Sequence, residues 1–166
     1  MKIRGYRSSD LERCRSLWAE LTQRHRNIYE DPSIGGDDPG KEFDRHFARV
    51  GPERIWVAED GDQVLGFVSL IVEGKEAEIE PIIVGSRHRS GGIGRRLLDH
   101  AIAEAKRLEV LCLNVRPVAR NREALSFFHE AGFRTLGHVQ LFRWLGPATP
   151  GQWKEGPELL GMHFDY

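Results

Sequence analysis

Residues 77–84, AEIEPIIV, form a run of strand length rich in β-branched residues, and RHRSGGIGRR at 87–96 follows almost at once. From Ile93 onward, Ile93, Leu97, Leu98, Ala101, Ile102, Ala105 and Leu108 fall on one face of a helix. A strand that passes through a glycine turn into an amphipathic helix commits the chain to laying that helix on a sheet, which is an α/β arrangement. The turn also has a chemistry. Glycines let successive N–H groups converge, and a helix N-terminus adds about half a positive charge. Arg87, Arg89, Arg95 and Arg96 make the place more attractive to an anion. The plain alternative is a tight turn with its arginines in solvent.

Two nucleotide motifs fail on spacing. No Lys-Ser or Lys-Thr follows these glycines, as the phosphate loop GxxxxGK[ST] requires. After Gly92-x-Gly94 the third glycine of GxGxxG is replaced by Leu97.

The rest of the chain alternates in the same manner. KIRGY predicts a first strand; Ser9 and Glu12 are spaced as a capping box, with Leu11, Cys14, Leu17, Trp18 and Leu21 at helical spacing behind them. NIYEDPSIGGDDPG is loop, and 40–49 predicts a short helix. RIWVAEDGDQVLGFVSLIV predicts a hairpin turning at Asp60-Gly61. VLCLNV is expected to be a buried strand in a parallel pair, and a helix from Asn121 to Ala131 is expected to close at Gly132. FRTLGHVQLFRWL and ELLGMHFDY predict two last strands, split by a Gly/Pro-rich linker over 146–157.

A chain of 166 residues with net charge −1 fits one domain over 1–166, with 146–166 its linker and last strand, and gives no nucleic-acid-binding signature. Cys14 and Cys112 stand outside any CxxC pattern, no signal peptide precedes the first strand, and no run approaches the ~20 apolar residues of a membrane span. A cytoplasmic location, with no membrane or nucleic-acid partner, is the expectation. The histidines show no HxxxH or HExxH spacing, so no metal is expected.

Arg89-x-x-Gly92-x-Gly94, entering a helix straight after the fourth strand, resembles the Arg/Gln-x-x-Gly-x-Gly/Ala signature of the GNAT superfamily of acetyl-CoA-dependent N-acyltransferases. LNVRPVARNREALSFFHEAGF resembles that family's fifth strand and following helix, and the likeness covers about 1–145. It implies a mixed, mostly antiparallel sheet of about seven strands flanked by about four helices. It also implies acetyl-CoA as acyl donor, with coenzyme A held by the backbone from Arg89 through Ser90, Gly91, Gly92 and Ile93 to Gly94 and Arg95. The pantetheine arm would lie along Ile82, Ile83 and Val84, with Asn121 and Phe128 on its other side. Asn121 has a second reading as a helix N-cap, and the two coexist.

The same resemblance gives the Val84 N–H to the tetrahedral oxyanion and a base role, through a water, to Glu80. By period-2 alternation Glu80 shares a face with Glu78, Ile82 and Val84, although a solvated strand charge is the equal alternative. Pro81 requires an irregularity in the strand. Where the family carries a Tyr as acid, this sequence has Phe128, which leaves that role vacant.

The expected reaction is direct transfer of an acetyl group to a primary amine, small or peptidic. The alternatives are a coenzyme A-binding module without turnover, or transfer of longer acyl groups. Tyr29, Glu30 and Asp31 open a loop rich in acidic residues, which would favour a cationic acceptor; a merely solvated loop is the other reading. The resemblance also allows a homodimer, since many relatives pair.

Overall fold

A computed structural model describes residues 1–146 and 153–166. These fall into two compact units: Met1–Arg24 with Gly35–Arg116, and His25–Ile34 with Pro117–Tyr166. Each unit is internally packed.

The first unit holds the sheet. Strands β1 (Lys2–Gly5), β2 (Ile55–Asp60), β3 (Gln63–Glu73), β4 (Glu76–Val84) and β5 (Cys112–Asn114) lie in that order, each antiparallel to the next except β4 and β5, which are parallel. Helix α1 (Leu11–Tyr29) begins in this unit, and α2 (Glu42–Val50) and α3 (Ile93–Arg107) lie wholly within it. The mostly antiparallel sheet and four α-helices agree with expectation. The central sheet has five strands rather than seven, because β6 (Glu155–Leu159) and β7 (Met162–Asp165) make a separate two-stranded sheet.

Apolar periodicity explains the layers. Cys14 and Leu17 of α1 and Phe43 of α2 are buried against Ile55, Val57, Phe67 and Ile83 on one face of the sheet. Helix α3 buries Ile93, Leu97, Leu98, Ala101 and Ala105 and packs on β3 and β4. The β2–β3 hairpin turns at Gly61 (φ +56°), as its Asp-Gly dipeptide predicts. Close approach explains Gly66: a Cβ there would stand 2.4 Å from the Ile83 carbonyl oxygen.

Helix α1 starts differently from the predicted Ser9–Glu12 box. A short 3-10 turn, Ser8–Asp10, precedes it, and the Asp10 carboxylate accepts the Arg7 N–H at 2.8 Å. Glu12 instead accepts from Arg15 at 2.6 Å. Asp10 wins because it also binds Arg4 in a bidentate pair at 2.7 and 2.9 Å.

Helix α2 carries His46 into the interior, with its ring against Trp18. Burial, with Arg49 close by, pushes its pKa down to about 4. The native state thus holds His46 neutral while the unfolded chain takes up a proton below about pH 6.5. Stability from this residue is intact above that pH and is lost as pH falls toward 4, by up to about 3 kcal/mol. Denaturant unfolding of the protein and of His46→Gln across this range measures it: the wild type loses stability more steeply, and parallel curves would remove the effect.

In the second unit α4 (Arg122–Glu130) starts at Asn121, whose side chain accepts the Ala124 N–H at 3.1 Å. It ends as predicted at Gly132 (φ +100°), with Phe133 N–H returning to the Phe128 carbonyl. Two expected strands change. Residues 134–145 carry no strand, and Leu136, Leu141, Phe142 and Leu145 are exposed. An alternating pattern needs a neighbouring backbone, and none pairs with this run among the described residues. ELLGMHFDY is split by Leu160 and Gly161, both at positive φ, into the β6–β7 hairpin. Strand β6 begins inside the predicted 146–157 linker, of which 147–152 lie outside the described residues. Strand β5 is shorter and more exposed than a buried parallel strand, because only Glu76–Glu78 pair with it.

Candidate active site

The glycine turn forms as the sequence implies. After β4 come Gly85, a 3-10 turn over Ser86–His88, and Arg89 in extended conformation. Ser90 (φ +64°) and Gly92 (φ +75°) are left-handed, and α3 starts at Ile93 with Gly92 as its N-cap. The first intrahelical donor is Arg96 N–H, to the Gly92 carbonyl at 3.1 Å. Among the described residues the backbone N–H groups of Arg89, Ser90, Gly91, Gly92, Ile93, Gly94 and Arg95 meet no protein acceptor. Seven unclaimed donors at a helix N-terminus are a fitting cradle for a pyrophosphate.

Neighbouring side chains hold the turn. Glu20 of α1 accepts the Ser86 N–H at 2.8 Å and the Arg13 guanidinium at 3.2 Å, while Arg13 Nε donates to the Val64 carbonyl. Gly85 is hemmed in here: a Cβ would stand 2.9 Å from Arg13 and 3.3 Å from the Leu65 carbonyl. Ile93 buries its side chain, and Arg95 pairs with Asp99 at 2.9 Å on the surface.

The edge of β4 is open where a pantetheine arm would lie. Parallel pairing with β5 stops at Glu78–Asn114, and among the described residues no strand flanks Glu80–Val84 on that side. Gly85 N–H donates to Leu65. Alternation along the antiparallel ladder then turns the backbone groups of Ile83 toward β3 and those of Ile82 and Val84 outward. The outward Val84 carbonyl accepts Arg89 Nε at 3.2 Å. Ile83 departs from expectation: its backbone serves β3 and its side chain lies in the core.

The irregularity that Pro81 requires is a bulge. Val68 faces Ile82 and Leu70 faces Ile79, so Glu80 and Pro81 together oppose Ser69. One extra residue reverses the alternation. Glu78 and Ile83 therefore share the α1–α2 face, and Ile82 and Val84 lie on the other, which corrects the simple period-2 expectation. Gly85 plays no part in this bulge.

Two carboxylates stand at the splay. Glu80 is half-exposed, 3.8 Å from Arg49, and lacks an apolar enclosure. Glu78 has that enclosure. It is nine-tenths buried, and desolvation raises its pKa above the usual carboxylate value; the charge of Arg116, 3.0 Å away, opposes this and that of Glu80 reinforces it. The sequence placed Glu78 beside Glu80, but its burial depends on the fold around it.

Asn121, Phe128, Tyr29, Glu30 and Asp31 belong to the second unit. Phe128 is buried against Phe127 and Phe133. The Tyr29 ring lies 4.8 Å from the Arg120 guanidinium. The loop's acidic residues are largely engaged: Glu30 with Lys154, Asp31 with Ser33, Asp38 with Lys41 and Asp44 with Arg15. Glu30, Asp38 and Asp44 are thus each paired with a cation, and Asp31 accepts from an uncharged serine. Among the described residues no group of three or more His, Cys, Asp or Glu is placed to hold a metal, and no helix is long and apolar enough to cross a membrane.

No curated protein matches this sequence. Among solved structures, the chain is similar to a GNAT-family acetyltransferase from Staphylococcus aureus Mu50 (19% identity, TM-score 0.69, covering 84% of this chain and 88% of that one). It is also similar to a ribosomal-protein-alanine N-acetyltransferase from Brucella melitensis (26%, 0.63, 82% and 86%). A third likeness is to N-acetylglutamate synthase from Neisseria gonorrhoeae, complexed with coenzyme A and N-acetyl-glutamate (21%, 0.62), of which it covers 28% with 82% of its own length. The model of the acetyltransferase (GNAT) family matches residues 14–133. With the glycine turn, the bulged fourth strand and the sheet order, that match places the chain in the GNAT family of acetyltransferases.

Proposed function

We propose that the protein is an acetyl-CoA-dependent N-acetyltransferase acting on a primary amine by direct transfer in a ternary complex. The observation that carries this is the run of unclaimed N–H groups from Arg89 to Arg95, continuous in sequence with the outward edge of Ile82 and Val84. Those N–H groups take the pyrophosphate of coenzyme A, and the β4 edge takes the pantetheine amides as an added strand would. The family resemblance assigns Asn121 and Phe128 to the coenzyme and Tyr29, Glu30 and Asp31 to the acceptor, all five being residues of the second unit.

Holding amine and thioester together supplies much of the acceleration. Glu78, with Glu80 beside it, takes the amine proton through a water as the nitrogen attacks the thioester carbonyl. The Val84 N–H donates to the oxyanion, and collapse of the tetrahedral adduct expels the thiolate. A thiol of pKa about 8.5 leaves without a proton donor, which suits a site with Phe128 in place of an acid. The two free cysteines suit a reducing, cytoplasmic setting, and a homodimer is part of the same reading.

Phe128 also favours the alternative of coenzyme A binding without turnover. Thiol release from acetyl-CoA over a panel of primary amines separates the two, with thermal stabilisation by coenzyme A as the binding readout. The expected outcome is stabilisation together with thiol release for at least one amine. Stabilisation with no release from any amine, or from longer acyl-CoA thioesters, supports the binding module instead.

A further inference from the structure

Ser69 is fully buried in β3, opposite the two residues by which β4 bulges. A bulge leaves backbone groups without ladder partners, and Pro81 brings no N–H of its own. At this bulge the Ser69 hydroxyl donates to the Glu80 carbonyl at 2.6 Å. A hydroxyl has one proton. With that proton given to Glu80, Ser69 is the acceptor for His46 Nε2, 2.7 Å away. His46 is therefore the neutral tautomer protonated on Nε2, buried in α2 with its ring 5.1 Å from that of Trp18.

This relay ends at the point on which the site's geometry turns. The extra residue in β4 reverses the alternation, leaving Glu78 on the α1–α2 face and Ile82 and Val84 with their backbone groups outward. Were the Glu80 carbonyl to swing away from Ser69, the bulge at Glu80–Pro81 would lose its hold on β3 and the residues beside it would shift from their places. We propose that His46 and Ser69 are positioning residues for acyl transfer: through the Glu80 carbonyl they lock the β4 bulge in place, and with it the carboxylates and the Ile82–Val84 edge. This rests on the acetyltransferase reading above. Neither residue touches substrate, since both are enclosed by protein.

The test uses the whole chain with acetyl-CoA and an accepted amine. His46→Phe keeps a buried ring without a donor, Ser69→Ala removes one oxygen, and His46→Gln restores a donor near the Nε2 position. A small misplacement of reacting groups costs up to about 100-fold in rate. His46→Phe and Ser69→Ala should therefore lower kcat about 10- to 100-fold and weaken coenzyme A binding only a few-fold, because the glycine turn is untouched. His46→Gln should recover most of kcat. Ser69→Ala, the smallest change, carries the test if His46→Phe does not melt cooperatively.

Wild-type kcat in Ser69→Ala overturns the proposal, as does a His46→Gln variant as slow as a folded His46→Phe. If the wild type acetylates no amine, the acetyltransferase reading fails by itself and the relay is judged on coenzyme A affinity. Weakening by His46→Phe and Ser69→Ala with recovery in His46→Gln then supports it, and equal affinities overturn it.

Discussion

Gly92→Val is expected to abolish measurable coenzyme A binding while leaving a folded protein. Gly92 sits at φ +75° and caps α3, in a left-handed conformation that costs an L-residue about 1–2 kcal/mol. A β-branched side chain is among the worst there. Nothing in the protein lies within 4 Å of a Cβ at this position, so the new side chain meets no steric obstacle from the fold itself. It would crowd a phosphate that approaches the free N–H groups on either side of it. Losing two charge-assisted hydrogen bonds to a pyrophosphate removes about 3 kcal/mol, or about 100-fold in affinity. Gly74→Val is the control: it also has positive φ (+63°) and open space, but lies in the β3–β4 turn away from the cradle. Titration calorimetry should find coenzyme A binding lost in the first variant and kept in the second. Wild-type affinity in Gly92→Val would move the pyrophosphate elsewhere.

Glu78→Gln should produce the largest loss of turnover, about 100- to 10,000-fold in kcat, the usual contribution of a positioned base. In the wild type, kcat should rise with pH as Glu78 gives up its proton. Burial, with the charges of Glu80 and Glu73, sets that rise above the usual carboxylate pKa, against the pull of Arg116 and Arg49. The glutamine variant lacks this limb, so the gap between the two is widest above it. Stability should move the other way. A raised carboxyl pKa means that the native state holds the Glu78 proton more tightly than the unfolded chain does. Stability from this group is therefore present at low pH and is lost as pH rises through the folded pKa. Glu78→Gln escapes that loss and should be at least as stable as the wild type at neutral pH. Glu80→Gln is measured beside it: if it alone removes the limb, the base is Glu80 and Glu78 is a buried structural acid.

Features that depend on short segments were legible in the sequence. The glycine turn, the Asp60-Gly61 hairpin, the apolar face of α3 and the Asn121 and Gly132 caps follow from local conformational preference. They appear where the residues predict them. Features that need a partner were not. Residues 133–145 are expected to form a strand but find no ladder among the described residues, and Ser9 and Glu12 have box spacing but lose to Asp10, which Arg4 holds from β1. The acidic loop promised a charged wall, yet Lys154 meets Glu30 from a distant segment and Lys41 meets Asp38 from three residues along.

The site divides along the same line. The sequence by itself determined that a strand, a glycine turn and a helix would join in that order, because dihedral freedom and apolar spacing are properties of neighbouring residues. It also determined that β4 would be irregular at Pro81, which has no N–H to give. Only the tertiary structure decided on which side of that irregularity each residue falls. The register against β3 places Glu78 in the interior and turns Ile82 and Val84 outward. A one-residue change of register reverses a strand's faces, and the residues that meet the bulge, Ser69 and through it His46, lie eleven and more residues away in the chain.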